Sequence, residues 1–238
     1  MAARAPIGVV TGLASEARVA EALAADLDMQ TPQPLVRCAG ASPRRARRAA
    51  LALLDEGAAG LISFGIAGAL DPALRAGQVV LGREVFTPLH HLLPSTAAWC
   101  AAIEEAAARS GLSLHAGRIA GSDRLVASVS MKRRLAALSE ARATDMESHA
   151  VASVAWEARV PFVALRSILD EAASGLPSIV RGSVDRHGRP RKLLVAARLV
   201  LAPWNYKTLK SLEKESREAH RALAALAPLA PVLFGGAP

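Results

Sequence analysis

The stretch Ala143 to Ala172, ATDMESHAVASVAWEARVPFVALRSILDEA, constrains the chain more than any other. Thr144 and Asp145 are helix-starting residues, and Ala150, Val151, Val154, Ala155 and Ala158 recur at helical spacing until Arg159 and Pro161 stop the pattern. A helix from there puts Glu147 in its first turn. Phe162 to Leu165 is then a short apolar run bounded by breakers, which suits a buried strand whose far end carries Arg166 and Asp170. Open α/β sheets place their sites at the carboxyl ends of such strands. Taken singly, Glu147 reads as a cap carboxylate and Arg166 with Asp170 as an ion pair beyond the strand.

Two more segments repeat the scheme of a strand ending in glycine. Leu61 to Asp71, LISFGIAGALD, is a buried strand running into Gly65-Ile66-Ala67-Gly68, where missing side chains let backbone amides approach a ligand. Leu114 to Ala120 leads into Gly121-Ser122-Asp123, followed by Leu125 and Val126. At the start of the chain IGVVTG turns at Gly12 into a helix from about Ala14 to Ala25, with Glu16 and Arg18 in its first turns; unpaired amides at such a helix start form an anion site. Leu35 to Cys38 is a further strand, and its Arg37 reads either as an anion ligand or as plain surface. Ser42 and Pro43 open a helix to about Glu56 whose four arginines, with no aromatics between them, form a solvated face. Phe86 to Ser95 reads as a loop; His90 and His91 lack partners at metal-ligand spacing, and Leu89, Leu92 and Leu93 are candidates for a substrate wall or a capped surface loop.

Met-Glu-Ser, then Val-Pro-Phe, then Arg-Ser-x-x-Asp-x-Ala, with the Gly-x-Ala-Gly and Gly-Ser-Asp segments upstream, resembles the purine nucleoside phosphorylase and methylthioadenosine/adenosylhomocysteine nucleosidase superfamily over most of the chain. The resemblance implies an α/β three-layer sandwich with a central mixed, twisted and partly barrel-like sheet flanked by helices. It implies Asp170 as general acid toward purine N7, in a dry pocket near Arg166. Glu147 and Met146 would hold the ribose, Leu125 and Val126 would frame the base, and Glu16 would complete the lower face. Gly12, Arg18, Arg37, Gly65, Ile66 and Arg166 are the candidates for holding phosphate or water. No metal or organic cofactor is implied; phosphate is the only co-substrate in view. Phosphorylases of the superfamily carry a hydroxyl where this chain has Ile66, and often an arginine where it has Ile62 and Ser63, so water competes with phosphate as nucleophile. The Ile66 departure and the basic tail look most like the hopanoid-associated branch, which removes adenine from adenosylhopane. A soluble methylthioadenosine/adenosylhomocysteine nucleosidase is the alternative, and a nucleoside- or lipid-binding module without turnover is a third reading. The resemblance also implies a homo-oligomer.

With 238 residues, 52% of them hydrophobic and only 3% aromatic, the chain suits one large domain with a core of Ala, Leu and Val. A formal charge of +8 would ordinarily raise nucleic acid as a partner, but 11 Lys and Arg against 4 Asp and Glu from Arg181 onward leave only +1 for the rest. We therefore expect a catalytic part over 1–180, a basic helical extension over 181–238 packed on the same domain, and no nucleic-acid partner. Helices are expected at Lys192 to Leu201 and about Tyr206 to Leu226, the second with one apolar stripe, Leu209, Leu212, Ser216, Ala219, Leu223 and Leu226. A basic amphipathic element can also lie on an anionic membrane. Cys38 and Cys100 have no disulfide or metal spacing, and no apolar run reaches a membrane span or a secretory signal. The expectation is a cytoplasmic protein, with peripheral contact at the inner membrane through the basic segment.

Overall fold

The computed structural model describes residues 5–25, 27–29, 31–177, 185–189, 191 and 206–235. In chain order its elements are β1 (Ile7–Thr11), α1 (Ala14–Leu23), β2 (Leu35–Cys38), α2 (Pro43–Asp55), β3 (Gly60–Ala69), β4 (Val79–Phe86), β5 (Leu92–Pro94), α3 (Ala97–Arg109), β6 (Leu114–Gly121), α4 (Val129–Ser139), β7 (Ala143–Asp145), α5 (Ser148–Ala158), β8 (Phe162–Asp170) and α6 (Tyr206–Ala224). A 3-10 turn, Ala227–Leu229, and the short α7 (Ala230–Phe234) follow.

Alternation along the buried strands fixes the layers. On β8, Phe162 and Ala164 enter one apolar cluster, whereas Val163 and Leu165 enter the other. A strand buried on both faces needs apolar residues at every position, which is why FVAL shows no polar alternation. One cluster joins the sheet to α2 and α5 through Ala46, Ala50, Leu53, Val151 and Val154. The other joins it to α1, α3 and the C-terminal helices through Leu23, Trp99, Ile103, Leu223, Leu233 and Phe234. The architecture is thus a mixed α/β sandwich, with small alanines on the helices allowing close approach to the sheet.

The sheet also closes on itself. Strand β3 pairs in parallel with β1 and β8, β8 runs antiparallel to β4, β4 pairs with β6, β6 with β7, and β7 returns antiparallel to the far end of β3. The ring β3-β8-β4-β6-β7 is the barrel-like part, and β1 and β2 extend from it as an open wing. Because β1, β3 and β8 are parallel, their carboxyl ends converge. There the register sets Gly65 beside Arg166, and Gly68 between Thr144 on one side and Asp170 on the other.

Several expectations change. Ala143 to Asp145 is strand β7 and not the start of a helix; α5 begins at Ser148, with Glu147 at its N-cap. The cause is that β7 is needed to join β6 to β3, so the pairing overrides the local helix signal. The loop expected at 86–95 contains β5, folded back on β4. Helix α4 has no counterpart among the expected elements, although Ser128 caps it by accepting a hydrogen bond from the Met131 amide. The helix expected at 192–201 lies outside the described residues. No described helix is long and apolar enough to cross a membrane.

The candidate active site

Three carboxylates stand where β1, β3 and β8 end. Each is met by a glycine. A Cβ on Gly65 would lie 2.6 Å from the Glu16 carboxyl carbon, one on Gly12 3.1 Å from the Glu147 carboxylate, and one on Gly68 3.2 Å from Asp170 Oδ1. Only the absence of a side chain allows the first of these approaches, and Gly65 also has a positive φ of 154°. The glycines therefore serve contact between strand backbone and acid as much as contact with a ligand.

Glu16 belongs to the first turn of α1 and folds back over the turn before it. Its Oε2 accepts hydrogen bonds from the amides of Gly12 and Leu13, each 2.8 Å. That is the reach-back of a capping carboxylate. A third bond goes beyond capping: Oε1 accepts from the Ile66 amide on β3 at 2.9 Å. Burial raises the pKa of Glu16, opposed by the charge of Arg166 and by the Ile66 and Leu13 amides.

Arg166 lies fully buried on β8. Its Nε contacts Asp145 Oδ2 at 2.5 Å, and its Nη2 donates to Ser63 Oγ. Ser148 Oγ takes further bonds from Nε and Nη2, and Nη2 stands 3.8 Å from Glu147 Oε2. Asp145 also accepts from the amides of Glu147 and Ser148, so the residue expected to start the helix does cap it, from within a strand. Burial pushes the Glu147 carboxyl up to about 8, with Arg166 opposing and Asp145 and Glu16 adding to the rise. Glu147 Oε1 and Arg166 Nη1 are buried without a protein hydrogen-bond partner. Buried polar atoms of this kind are normally satisfied, so these two orphans, an acceptor and a donor, suit a water or a sugar hydroxyl.

A small cavity of about 40 Å³ is lined by Gly68, Leu125, Val126, Thr144, Met146 and Asp170, with Arg124, Asp145 and Leu176 beside them. The structure thus brings Leu125, Val126, Met146 and Asp170 to one cavity, while Glu147 stands beside Arg166. It does not place Asp170 with Arg166. Asp170 forms its ion pair with Lys132 of α4, which is as deeply buried as Asp170 itself. Burial raises the Asp170 pKa against the lowering charge of Lys132. The reason is geometric: the Arg166 guanidinium is taken up by Asp145, Ser63 and Ser148.

Two expected anion ligands are not part of this cluster. Arg37 forms a bidentate pair with Glu56 at 2.7 and 2.8 Å on the surface, and Arg18 is exposed on α1. An edge strand and an outward helix face carry them away from the turn. Leu89, Leu92 and Leu93 line a separate groove of about 670 Å³ with Asp123, His149 and Trp156. His90 stacks on Phe86, and among the described residues no cluster of three or more His, Cys, Asp or Glu could hold a metal. The C-terminal helix reaches the rim of the site: His220 Nε2 and Ser15 Oγ, next to Glu16, are 2.8 Å apart.

Lys132 is one of the residues of this cluster that sequence reasoning missed. It stands in a run, Lys132-Arg133-Arg134, that looks like a solvated face. Only the phase of α4 separates them: Lys132 and Ser139 face inward, whereas Arg133 and Arg134 are exposed. The Ser128 cap was the available signal.

Solved structures share this architecture. An S-adenosylhomocysteine nucleosidase from Streptococcus pyogenes superposes with a TM-score of 0.71 at 16% identity, covering 95% of either chain. A 5'-methylthioadenosine/S-adenosylhomocysteine nucleosidase from Neisseria meningitidis gives 0.69 at 18%, covering 95% of this chain and 97% of its own. Futalosine hydrolase of Helicobacter pylori gives 0.66 at 18%, covering 92% and 96%. No match to a curated protein was found. The profile of the phosphorylase superfamily matches residues 29–188, about two thirds of the sequence, and the chain belongs to that superfamily of enzymes.

Proposed function

We propose that the protein is a nucleosidase: it hydrolyses the N-glycosidic bond of an adenine nucleoside, with Asp170 as the acid and water activated beside Glu16. The observation that carries hydrolysis over phosphorolysis is the occupancy of the anion cradle. The Gly12, Leu13 and Ile66 amides, which would otherwise receive phosphate, already donate to the Glu16 carboxylate. A second anion there would meet a negative charge and no free amide of the three. Arg18 and Arg37, the cations expected to help, stand elsewhere.

The steps follow from the layout. Asp170 passes a proton to the purine N7, the bond from C1′ to N9 breaks, and its electron pair leaves with the base. Water attacks C1′ and gives up a proton to Glu16, whose pKa burial raises and whose carboxylate the Gly12, Leu13 and Ile66 amides hold in place. Glu147 and Arg166 take the sugar hydroxyls with the atoms they leave unpaired. The acid and the base have separate environments, as opposed roles require.

The substrate favoured is a small 5′-substituted adenosine. The similar structures are named for methylthioadenosine, adenosylhomocysteine and futalosine, and the intact three-carboxylate arrangement supports the reading. The finer expectation of adenosylhopane has no comparable support, and it enters as one arm of the test. Adenine release from methylthioadenosine, adenosylhomocysteine and adenosylhopane, each with and without phosphate, decides the matter. Release from a thionucleoside at a rate independent of phosphate is expected. Strict phosphate dependence would overturn hydrolysis, and turnover of adenosylhopane alone would overturn the small-substrate reading.

A further inference from the structure

We infer that Lys132 is a positioning residue for the acid step: it clamps Asp170 in the orientation that faces the base cavity and sets the pH range over which Asp170 holds its proton. The inference rests on the adenine-nucleosidase reading for what the acid does, and on the ion pair alone for how the acid is held.

Lys132 spends all three of its ammonium protons on one short segment. Nζ donates to Asp170 Oδ2, to the Glu171 carbonyl at 2.6 Å and to the Asp170 carbonyl at 3.4 Å. A lysine with no exposure to solvent to speak of, tied to one side chain and two carbonyls, fixes the end of β8 as well as the carboxylate. Both oxygens stand close to Gly68, Oδ1 at 3.2 Å and Oδ2 at 3.5 Å from a Cβ there, and Gly68 and Asp170 together line the cavity. Of the two carboxylate oxygens the ammonium holds Oδ2, and Oδ1 is the one the inference assigns to the base.

The charge also matters. The groups bearing on Asp170 are Lys132 from α4, Glu215 from α6, and Asp145 and Arg124 on the walls of the same cavity. Burial and Glu215 raise the Asp170 pKa, and Lys132 lowers it. Without the ammonium the carboxyl keeps its proton to higher pH. An acid without this clamp would be protonated more of the time but aimed less well. Buried ion pairs broken from one side are costly, so the variants are chosen to avoid a bare charge.

The test uses Lys132→Met, which removes the charge, Lys132→Gln, which keeps a hydrogen-bond donor without the charge, and Lys132→Arg, which keeps the charge. The pH dependence of kcat/KM for adenine release is measured beside the protonated-carboxyl infrared band of Asp170, assigned with Asp170→Asn. Loss of the charge should move the alkaline limb and the infrared titration up by about one pH unit or more. It should lower kcat more than it changes KM, and Lys132→Arg should restore the limb. A folded Lys132→Met, or Lys132→Gln where the first does not fold, with an unmoved infrared titration would overturn the inference. A wild-type protein that releases no adenine would instead sink the nucleosidase reading, and the infrared titration would still decide the role of Lys132.

Discussion

Glu16 and Asp170 are both buried carboxylates at the carboxyl end of the sheet, yet the chain holds them by different means. Glu16 is secured by three main-chain amides, two from its own turn and one from β3. Asp170 is secured by a single ammonium brought in on α4. Amide dipoles do not titrate and no single side-chain change removes them, so the placement of Glu16 is built into the backbone. A lysine pair is adjustable from a distance. In the proposed reaction the base end is held by main-chain amides, and the acid end by a remote side chain.

The largest effect should come from breaking the acid side of this pair. Asp170→Asn leaves the shape of the cavity but removes the transferable proton, and adenine release should fall by about 10²–10⁴-fold while a nucleoside analogue still binds. Steady-state turnover with calorimetric binding checks it; turnover within a few-fold of wild type would remove Asp170 from the mechanism. Glu16→Gln comes next. Its amide nitrogen would face a backbone donor, because a glutamine has one acceptor oxygen where the three amides need two. A loss of about 10²-fold or more in kcat is expected. If phosphate then accelerates the variant, the cradle is an anion site that Glu16 normally closes.

Gly65→Ala tests whether the backbone alone positions Glu16. The new methyl would overlap the carboxylate at 2.6 Å in a conformation unfavourable to any side chain, so a loss of about 1–3 kcal/mol of stability with a drop in kcat is expected from denaturant titration and rate assays. A stable, fully active variant would mean that Glu16 need not sit against β3.

How much of this could be read in the sequence follows the same division. Gly12 and Glu16 stand close along the chain where β1 turns into α1, and Gly65 and Ile66 lie on a recognisable strand, so all four could be named as candidates. The strand layers could be read from FVAL and LISF, because burial on both faces leaves uninterrupted apolar runs. Lys132 could not, since its partner is 38 residues away and its neighbours are two exposed arginines. Thr144 and Asp145 misled for a related reason: they carry helix-start chemistry, and Asp145 uses it, but the ring of strands claims their backbone. Arg18 and Arg37 misled because a cation near an anion site in sequence says nothing of which face it occupies.

Glu147 gives a subtler test, through pH. Its pKa in the folded protein is raised to about 8, above the ordinary carboxylic value, and the first cause is burial. A raised folded pKa means that the native state binds a proton more tightly than the unfolded chain. Its stabilising contribution is therefore full below about pH 4.5 and is lost as pH rises toward about 8. Glu147→Gln should flatten that slope, on the order of a few kcal/mol across the window, when unfolding is followed at fixed denaturant steps. Asp170 has the same sign, so Lys132→Met should steepen the slope that Glu147→Gln flattens.

The smallest expected effect sharpens the comparison by its smallness. Arg37→Ala removes a half-exposed pair with Glu56. Surface pairs of this kind are worth about 0–1 kcal/mol, so stability should change by less than about 1 kcal/mol and kcat/KM by less than about twofold, with phosphate or without. The same geometry favours hydrolysis over phosphorolysis in the proposed reaction. An anion held near Gly12 needs a cation or free amides, and Glu16 has taken the amides while Arg37 has turned to Glu56. If Arg37→Ala were instead to weaken turnover specifically in phosphate, the guanidinium would have to leave Glu56 for the pocket during the reaction. The base end would then be as adjustable as the acid end, and the contrast between Glu16 and Asp170 would fail at its first premise.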